Sequence, residues 1–160
     1  MRLISANARG AVIEIDGERG EYRVGSHVGT RFSAPVTREA KIWRDRQGAY
    51  RTVGTINGRM ADMLIDTGAT SVAMSETEAR RLGIPYRLEG ERTGVRTASG
   101  SARAYAVRLD QVRVGAIELR GVDAVVIEGD APPQVLLGMS FLKRVVMENQ
   151  GALLVLRSKF

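Results

Sequence analysis

The sequence predicts an all-β fold, mainly strands with one or two short helices, and three observations predict it. Short apolar stretches alternate with polar residues and are punctuated by glycine along most of the chain. Asp16-Gly17 and Asn57-Gly58 lie between such stretches, where the tight turn joining antiparallel strands needs residues that tolerate positive φ. Only Ser75 to Gly83 carries a full set of helix start and stop signals.

Ala11 to Ile15 alternates, Asp16-Gly17 turns and Gly20 to Val24 returns, an N-terminal β-hairpin. From Gly25 to Pro35 the pattern weakens into small and polar residues. A boundary is expected between Gly25 and Asp45, so that 1–45 form a β appendage or prosegment-like extension and 46–160 the main domain. Tyr50 to Ile56 and Arg59 to Ile65 make a hairpin through Asn57-Gly58. Ser75 can accept from the backbone N–H of Glu78 as in a capping box, Ala79, Arg80 and Leu82 favour helix, and Gly83 with Ile84-Pro85 ends it. Strands follow at Arg92 to Ala98 and Ala102 to Leu109, joined at Ser99-Gly100. Further strands are Val112 to Val114, Ile117 to Leu119, Val122 to Ile127 and Val135 to Leu137. Met139 to Arg144 reads as a second short helix, and Val145 to Glu148 and Leu153 to Leu156 as strands about a turn at Asn149 to Gly151. So many short strands indicate a barrel or a sandwich.

Composition removes most chemistries. At 160 residues the chain suits one domain with a sizeable core. Its 44% apolar and 26% charged residues are those of a globular protein. The longest apolar runs, Ala124 to Ile127, Val135 to Leu137 and Ala152 to Leu156, are too short to span a bilayer, so the chain as given is expected to be soluble. The net charge of +6 comes mostly from arginines interleaved with acids, and aromatics make up only 5%. A nucleic-acid footprint clusters its cations and adds stacking rings, so no nucleic-acid partner is expected, while acidic partners or anionic lipid stay open. With no cysteine there is no disulfide, thiolate site or thiol nucleophile. His27, the sole histidine, carries no motif, and Gly138-Met139-Ser140 lacks the second glycine of a nucleophile elbow. One imidazole does not build a zinc site, and no Walker-type loop is present. Neither metal nor cofactor is expected, and carboxylate chemistry remains.

Met63-Leu64-Ile65-Asp66-Thr67-Gly68-Ala69-Thr70-Ser71 is the informative stretch. An acid placed directly after three apolar residues sits at a buried strand end, where a carboxylate must be hydrogen-bonded or protonated. Thr67 adds a hydroxyl, and Gly68 allows a tight turn and close backbone approach. Two readings follow: a cradle that tunes an acid for proton transfer, or an Asx-type turn with no further role.

The run from Leu64 to Thr70 resembles the active-site loop of retroviral-type aspartic proteases. Val135-Leu136-Leu137-Gly138 resembles the strand that crosses beneath that loop, and Thr97-Ala98-Ser99-Gly100 stands where the family has its flap. Ile56-Asn57-Gly58, Asp66 to Thr70 and Leu137-Gly138-Met139-Ser140-Phe141-Leu142 are similar to segments of bacterial retropepsin-like proteases. The resemblance covers Tyr50 to Phe160 and explains 1–45 poorly.

What it implies is a closed retropepsin-like acid protease barrel acting as an aspartic endopeptidase on a peptide or protein. That chemistry needs two carboxylates sharing a proton, and one Asp-Thr-Gly in so short a chain implies a homodimer with Asp66 of each copy at the two-fold axis. By the resemblance Asp66 is the catalytic acid/base, Thr67 ties the two loops together, and Gly68 presents backbone to substrate. Leu136, Leu137 and Gly138 support the site from beneath. Ala69 stands where pepsin-like relatives often have serine, which implies a less acidic pH optimum. Thr70 and Ser71 replace the acids of retroviral enzymes, so anchoring of the substrate main chain does not carry over. The flap candidate has fewer glycines than a retroviral flap. The bacterial likeness implies an envelope setting, periplasmic or membrane-anchored through a segment outside this chain.

Other features keep two readings. Leu64, Ile65, Leu136 and Leu137 are core first and pocket wall second, and Trp43 covers a core edge or anchors a partner. Arg92, Arg96 and Arg103 are solvated or select acidic substrate side chains. The 1–45 segment is a prosegment, a docking module or an extra sheet edge. Competing functions are a retropepsin-fold module that binds peptide and dimerises without cleaving, and a latent protease.

Overall fold

Residues 2–7, 10–15, 18–23 and 36–159 are described by a computed structural model. Two units result, Met1–Val36 and Thr37–Phe160. The first holds an antiparallel sheet of β1 (Arg2–Asn7), β2 (Gly10–Ile15) and β3 (Glu18–Arg23) in that order. β2 and β3 are the expected hairpin, with Ile15 opposite Glu18. β1 was not foreseen. Asp16-Gly17, the Gly25 to Pro35 stretch and His27 lie outside the described residues.

The second unit begins with β4 (Glu39–Trp43), β5 (Arg51–Ile56), β6 (Arg59–Ile65), β7 (Val72–Ser75), α1 (Glu76–Arg81) and α2 (Tyr86–Glu89). It continues with β8 (Glu91–Thr97), β9 (Gly100–Val114), β10 (Ile117–Ile127), β11 (Val135–Leu137), α3 (Met139–Leu142), β12 (Val145–Gln150) and β13 (Leu153–Ser158). The strands β10-β7-β11-β6-β5-β9 pair in that order, and a long β9–β10 ladder closes them into a six-stranded barrel. Among the described residues β8 pairs with β9 alone and so projects as a hairpin arm. A second sheet, β12-β13-β4, completes the unit. Closure removes the exposed edges that an open sheet of this length would present.

That second sheet corrects the expected division at 45/46. β4 pairs with β13, placing Ile42 beside Leu154 and Ala40 beside Leu156, all four buried. Residues 37–45 therefore belong to the main unit. The strand is faint in the sequence because only two of its five residues face inward. Trp43 faces out and is 66% exposed, so it does not cover a core edge. Arg157 fastens the sheet's outer face by pairing with Glu39 at 2.8 Å and with Glu148.

Other differences have physical causes. β9 and β10 are single strands where the sequence suggests two pieces each, because Asp110-Gln111 and Arg120-Gly121 interrupt the apolar pattern without interrupting the ladder. α2 follows directly on Pro85, its N-cap residue, read from sequence only as the terminator of α1. Proline suits the start of a helix, and buried Tyr86 holds the turn by packing edge-on against Tyr105 at 5.2 Å. α1 starts as expected, with Ser75 Oγ accepting from Glu78 N–H at 3.1 Å. No helix among the described residues is long and apolar enough to cross a membrane.

α3 locks the floor of the barrel. Phe141 and Leu142 are buried in the main core with Met63, Leu137 and Val72. Buried Ser140 accepts from Val72 N–H at 2.9 Å and donates to the Asp123 carbonyl at 2.6 Å, tying the helix to β7 and β10. Just before it, a Cβ on Gly138 would lie 2.8 Å from the Ala69 carbonyl oxygen and closer still to that of Ser71. Ser140→Ala leaves the Val72 N–H without its partner in the core and is expected to cost about 1–3 kcal/mol. Gly138→Ala forces backbone against backbone and is expected to cost about 3 kcal/mol or more. Denaturant unfolding of both variants measures this, and wild-type stability in Gly138→Ala would refute the close approach.

Candidate active site

β6 carries Asp66 to the end of a strand that is paired on both sides, by β5 and by parallel β11. The acid leaves the sheet at a defined point because its own N–H donates to the Leu137 carbonyl at 3.2 Å. The chain then turns. Gly68 N–H donates to Asp66 Oδ1 at 2.9 Å, and Ala69 N–H to the Asp66 carbonyl at 3.3 Å. The Ala69 carbonyl in turn accepts from Met139 N–H at 2.8 Å. The Asx-type turn considered from the sequence is therefore present, and it leaves Asp66 Oδ2 without a partner among the described residues. Geometry of a turn and availability for chemistry coincide in one side chain.

Asp66 is half-buried beside a groove of about 900 Å³. Gly68, Ala69, Thr70 and Ser71 line it along the loop; Thr67 is exposed and is not part of the lining. Above lies the β8–β9 arm, which contributes Gly94 to Ser99. Its tip is the two-residue turn Ala98-Ser99, with Gly100 opening β9 at φ +123°, one residue earlier than the expected turn at Ser99-Gly100. Thr97 Oγ1 donates to the Gly100 carbonyl at 2.9 Å and stiffens this tip. Thr97, Ala98 and Ser99 line the groove, and Gly100 does not.

The floor is apolar. Ala73, Ala104 and Ile127 form a small cluster apart from the main core, joined by Val95, Ala102, Val125 and Leu136. Strand alternation divides the expected support. Leu136 faces the groove, whereas Leu137 is fully buried in the core and Gly138 serves as the point of close approach.

The three arginines separate as well. Arg92 lies opposite Tyr105, Arg103 opposite Gly94 and Arg96 opposite Ser101, which puts all three on the face of the arm away from Val95 and Ala102. All are exposed, and only Arg96 reaches the groove. Any selection of acidic side chains there falls to Arg96.

Sequence reading missed the far wall. Glu128, Ala131 and Pro132, in the 128–134 connection between β10 and β11, line the groove beside Asp66. Asp130-Ala131-Pro132-Pro133 marks a loop, but nothing in those residue types aims it at the acid. Among the described residues no group of three or more His, Asp or Glu side chains gathers to hold a metal ion.

The model of the gag-polyprotein putative aspartyl protease family matches residues 52–144, which contain the Asp66 loop, the arm over it and Gly138. An uncharacterised Sinorhizobium protein is 36% identical over 110 residues, 68% of this chain and 47% of that protein. An uncharacterised Rickettsia prowazekii protein is 31% identical over 107 residues, 66% of this chain and 45% of that protein. The chain spans about half the length of these curated relatives. Among solved structures, a retropepsin-like aspartic protease from Rickettsia conorii superposes with a TM-score of 0.66 at 29% identity, covering 76% of this chain and 92% of that one. Barrel, acid loop and family match agree: the chain belongs to the gag-polyprotein aspartyl protease family and has the retropepsin-like fold.

Proposed function

We propose that this chain is one half of a homodimeric aspartic endopeptidase. The observation that carries the reading is the Asp66 carboxylate, held by one oxygen in its own turn and presenting the other beside a groove. One such acid cannot do the reaction. Peptide hydrolysis by this chemistry needs an ionised carboxylate to take a proton from water and a protonated one to polarise the scissile carbonyl. A second copy related by a two-fold axis supplies the missing acid.

In the first step water attacks the carbonyl carbon. Its proton passes to the ionised Asp66, and the carbonyl oxygen gains a proton from the protonated one. The gem-diol then collapses: one of its hydroxyl protons passes to the ionised carboxylate while the protonated carboxyl gives its proton to the departing amine nitrogen, the C–N bond breaks, and the dyad is left sharing one proton. Exposed Thr67, whose hydroxyl has no partner among the described residues, suits a hydrogen bond to the other copy's loop. Among the described residues nothing pairs with the outer backbone edge of β8, where an extended peptide can add as a strand.

Asp66→Asn is expected to lower cleavage of a denatured protein or peptide library by about 10²- to 10⁴-fold or more. Unchanged cleavage would eliminate this mechanism, and a wild-type chain that binds peptides without cutting them would establish the binding-module or latent reading instead. Sedimentation should find dimer at concentrations where activity is seen, with specific activity falling on dilution through the dissociation range; full activity in a monomer would overturn the shared site. Ala69→Ser adds a hydroxyl that can donate to the ionised pair, so the acid limb of the activity profile should move to lower pH. A shift to higher pH would count against the role given to that position.

A further inference from the structure

We propose that Glu76 and Thr77 are positioning residues that latch the Glu128 to Pro132 loop in place and thereby set the far wall of the substrate groove. The inference rests on the groove being a peptide site, and it assigns the shape of that site to two residues at the start of a helix outside it.

The loop needs an external hold. It follows the end of β10 and, among the described residues, has no strand partner before β11 begins at Val135. Glu128 N–H still donates to the Arg103 carbonyl at 3.0 Å. Beyond that point the polar ties come from the first turn of α1. Gly129 N–H donates to Glu76 Oε1 at 3.2 Å, and Thr77 Oγ1 donates to the Asp130 carboxylate. The next two residues, Ala131 and Pro132, line the groove with Asp66. Gly129 adopts φ +100°, a conformation that side-chain-bearing residues rarely take, and a Cβ there would meet nothing within 4 Å. Backbone direction, not space, is what glycine supplies, and that direction offers the N–H to Glu76.

Glu76 is itself fixed in place. Its Oε2 accepts from Tyr86 Oη at 2.8 Å, with Arg80 at 3.4 Å and Arg87 at 3.5 Å, and its side chain is 17% exposed. Tyr86 is buried and packs edge-on against Tyr105 of β9, the strand that forms the flap arm. One carboxylate thus refers the far wall to the base of the flap. A single exposed ion pair would be too loose for this, whereas several donors converging on one acid restrict its rotamers.

Charge state matters to the latch. The Tyr86 hydroxyl first, then the Gly129 N–H, with Arg80 and Arg87 adding to them, hold the Glu76 carboxyl below the usual carboxylate range. The groups facing it are Arg80 from α1, Tyr86 and Arg87 from α2 and, through Thr77, Asp130 from the loop. For a carboxyl lowered by folding, the stabilisation is complete above its unfolded pKa and is lost as pH falls through the folded one. The wall is therefore held at neutral pH and through mild acid, and is released below that.

The test uses Glu76→Gln and Thr77→Val in the full chain, with Glu76→Asp as the charge-retaining control. Glutamine keeps an acceptor for one donor but faces the other with an amide. For a peptide cleaved by the wild type, Glu76→Gln should raise KM about 5- to 20-fold with kcat within about two-fold. The wild-type KM should rise as pH falls below the ordinary carboxylate range, and Glu76→Gln should lack that rise. Thr77→Val should raise KM more weakly, and Glu76→Asp should recover part of the wild-type pH dependence. Unchanged KM, or a rise in KM accompanied by loss of kcat and of thermal stability, would overturn the latch. Amide hydrogen exchange reads it without catalysis: in Glu76→Gln, protection of Gly129 should fall by about ten-fold while that of Leu109 in the barrel is kept. Wild-type protection at Gly129 would refute the latch even if cleavage were normal. If no peptide is cleaved, the function reading fails, and the exchange result still decides the latch.

Discussion

Everything at this site depends on one close backbone approach, that of Gly138 to the Ala69–Ser71 segment. Because no side chain intervenes, the chain leaving β11 passes directly beneath the acid loop, and two hydrogen bonds fasten them. Asp66 N–H reaches the Leu137 carbonyl, and Met139 N–H reaches that of Ala69. Ser140, one residue further, secures the same crossing from the core side. The loop is thus held by strands and a helix far from it in sequence, which is how a carboxylate on a short turn acquires a reproducible direction.

The same crossing explains why a catalytic reading and a plain turn reading of Asp66 were both available. Asp-Thr-Gly makes an Asx-type turn on its own account, since Gly68 N–H finds Oδ1. What gives that turn a chemical prospect is its surroundings: an apolar floor of Ala73, Val125, Ile127 and Leu136, an arm above it, and a second oxygen left over. The proposed protease chemistry would add a second acid, which a chain with one such loop would take from another copy.

Legibility in the sequence followed the range of the interactions. The β5–β6 hairpin, the cap of α1 and strand β11 were readable because each is specified within a few residues, by Asn57-Gly58, by Ser75 with Glu78, and by a short apolar run. β4 was hidden, since Ala40 and Ile42 become a buried face only when Leu154 and Leu156, over a hundred positions later, lie beside them. α2 was hidden for a related reason, as its single turn is held by the Tyr86–Tyr105 contact and not by helix propensity. Trp43, read as covering a core edge or anchoring a partner, points outward because strand alternation gives the inward places to Ala40 and Ile42.

By itself the sequence left carboxylates as the candidate reacting groups, singled out Asp66, indicated a β barrel, and related the acid loop and the crossing strand to a protease family before any contact was known. Tertiary structure decided the shape of the groove. It chose Leu136 over Leu137 for the wall, Arg96 over Arg92 and Arg103 for the rim, and brought Glu128, Ala131 and Pro132 beside the acid. The physical reason is that reactivity resides in residue type and local turn geometry, which a few neighbours specify, whereas a cavity is the space left between elements. That space exists only after strands distant in sequence have paired and set their faces.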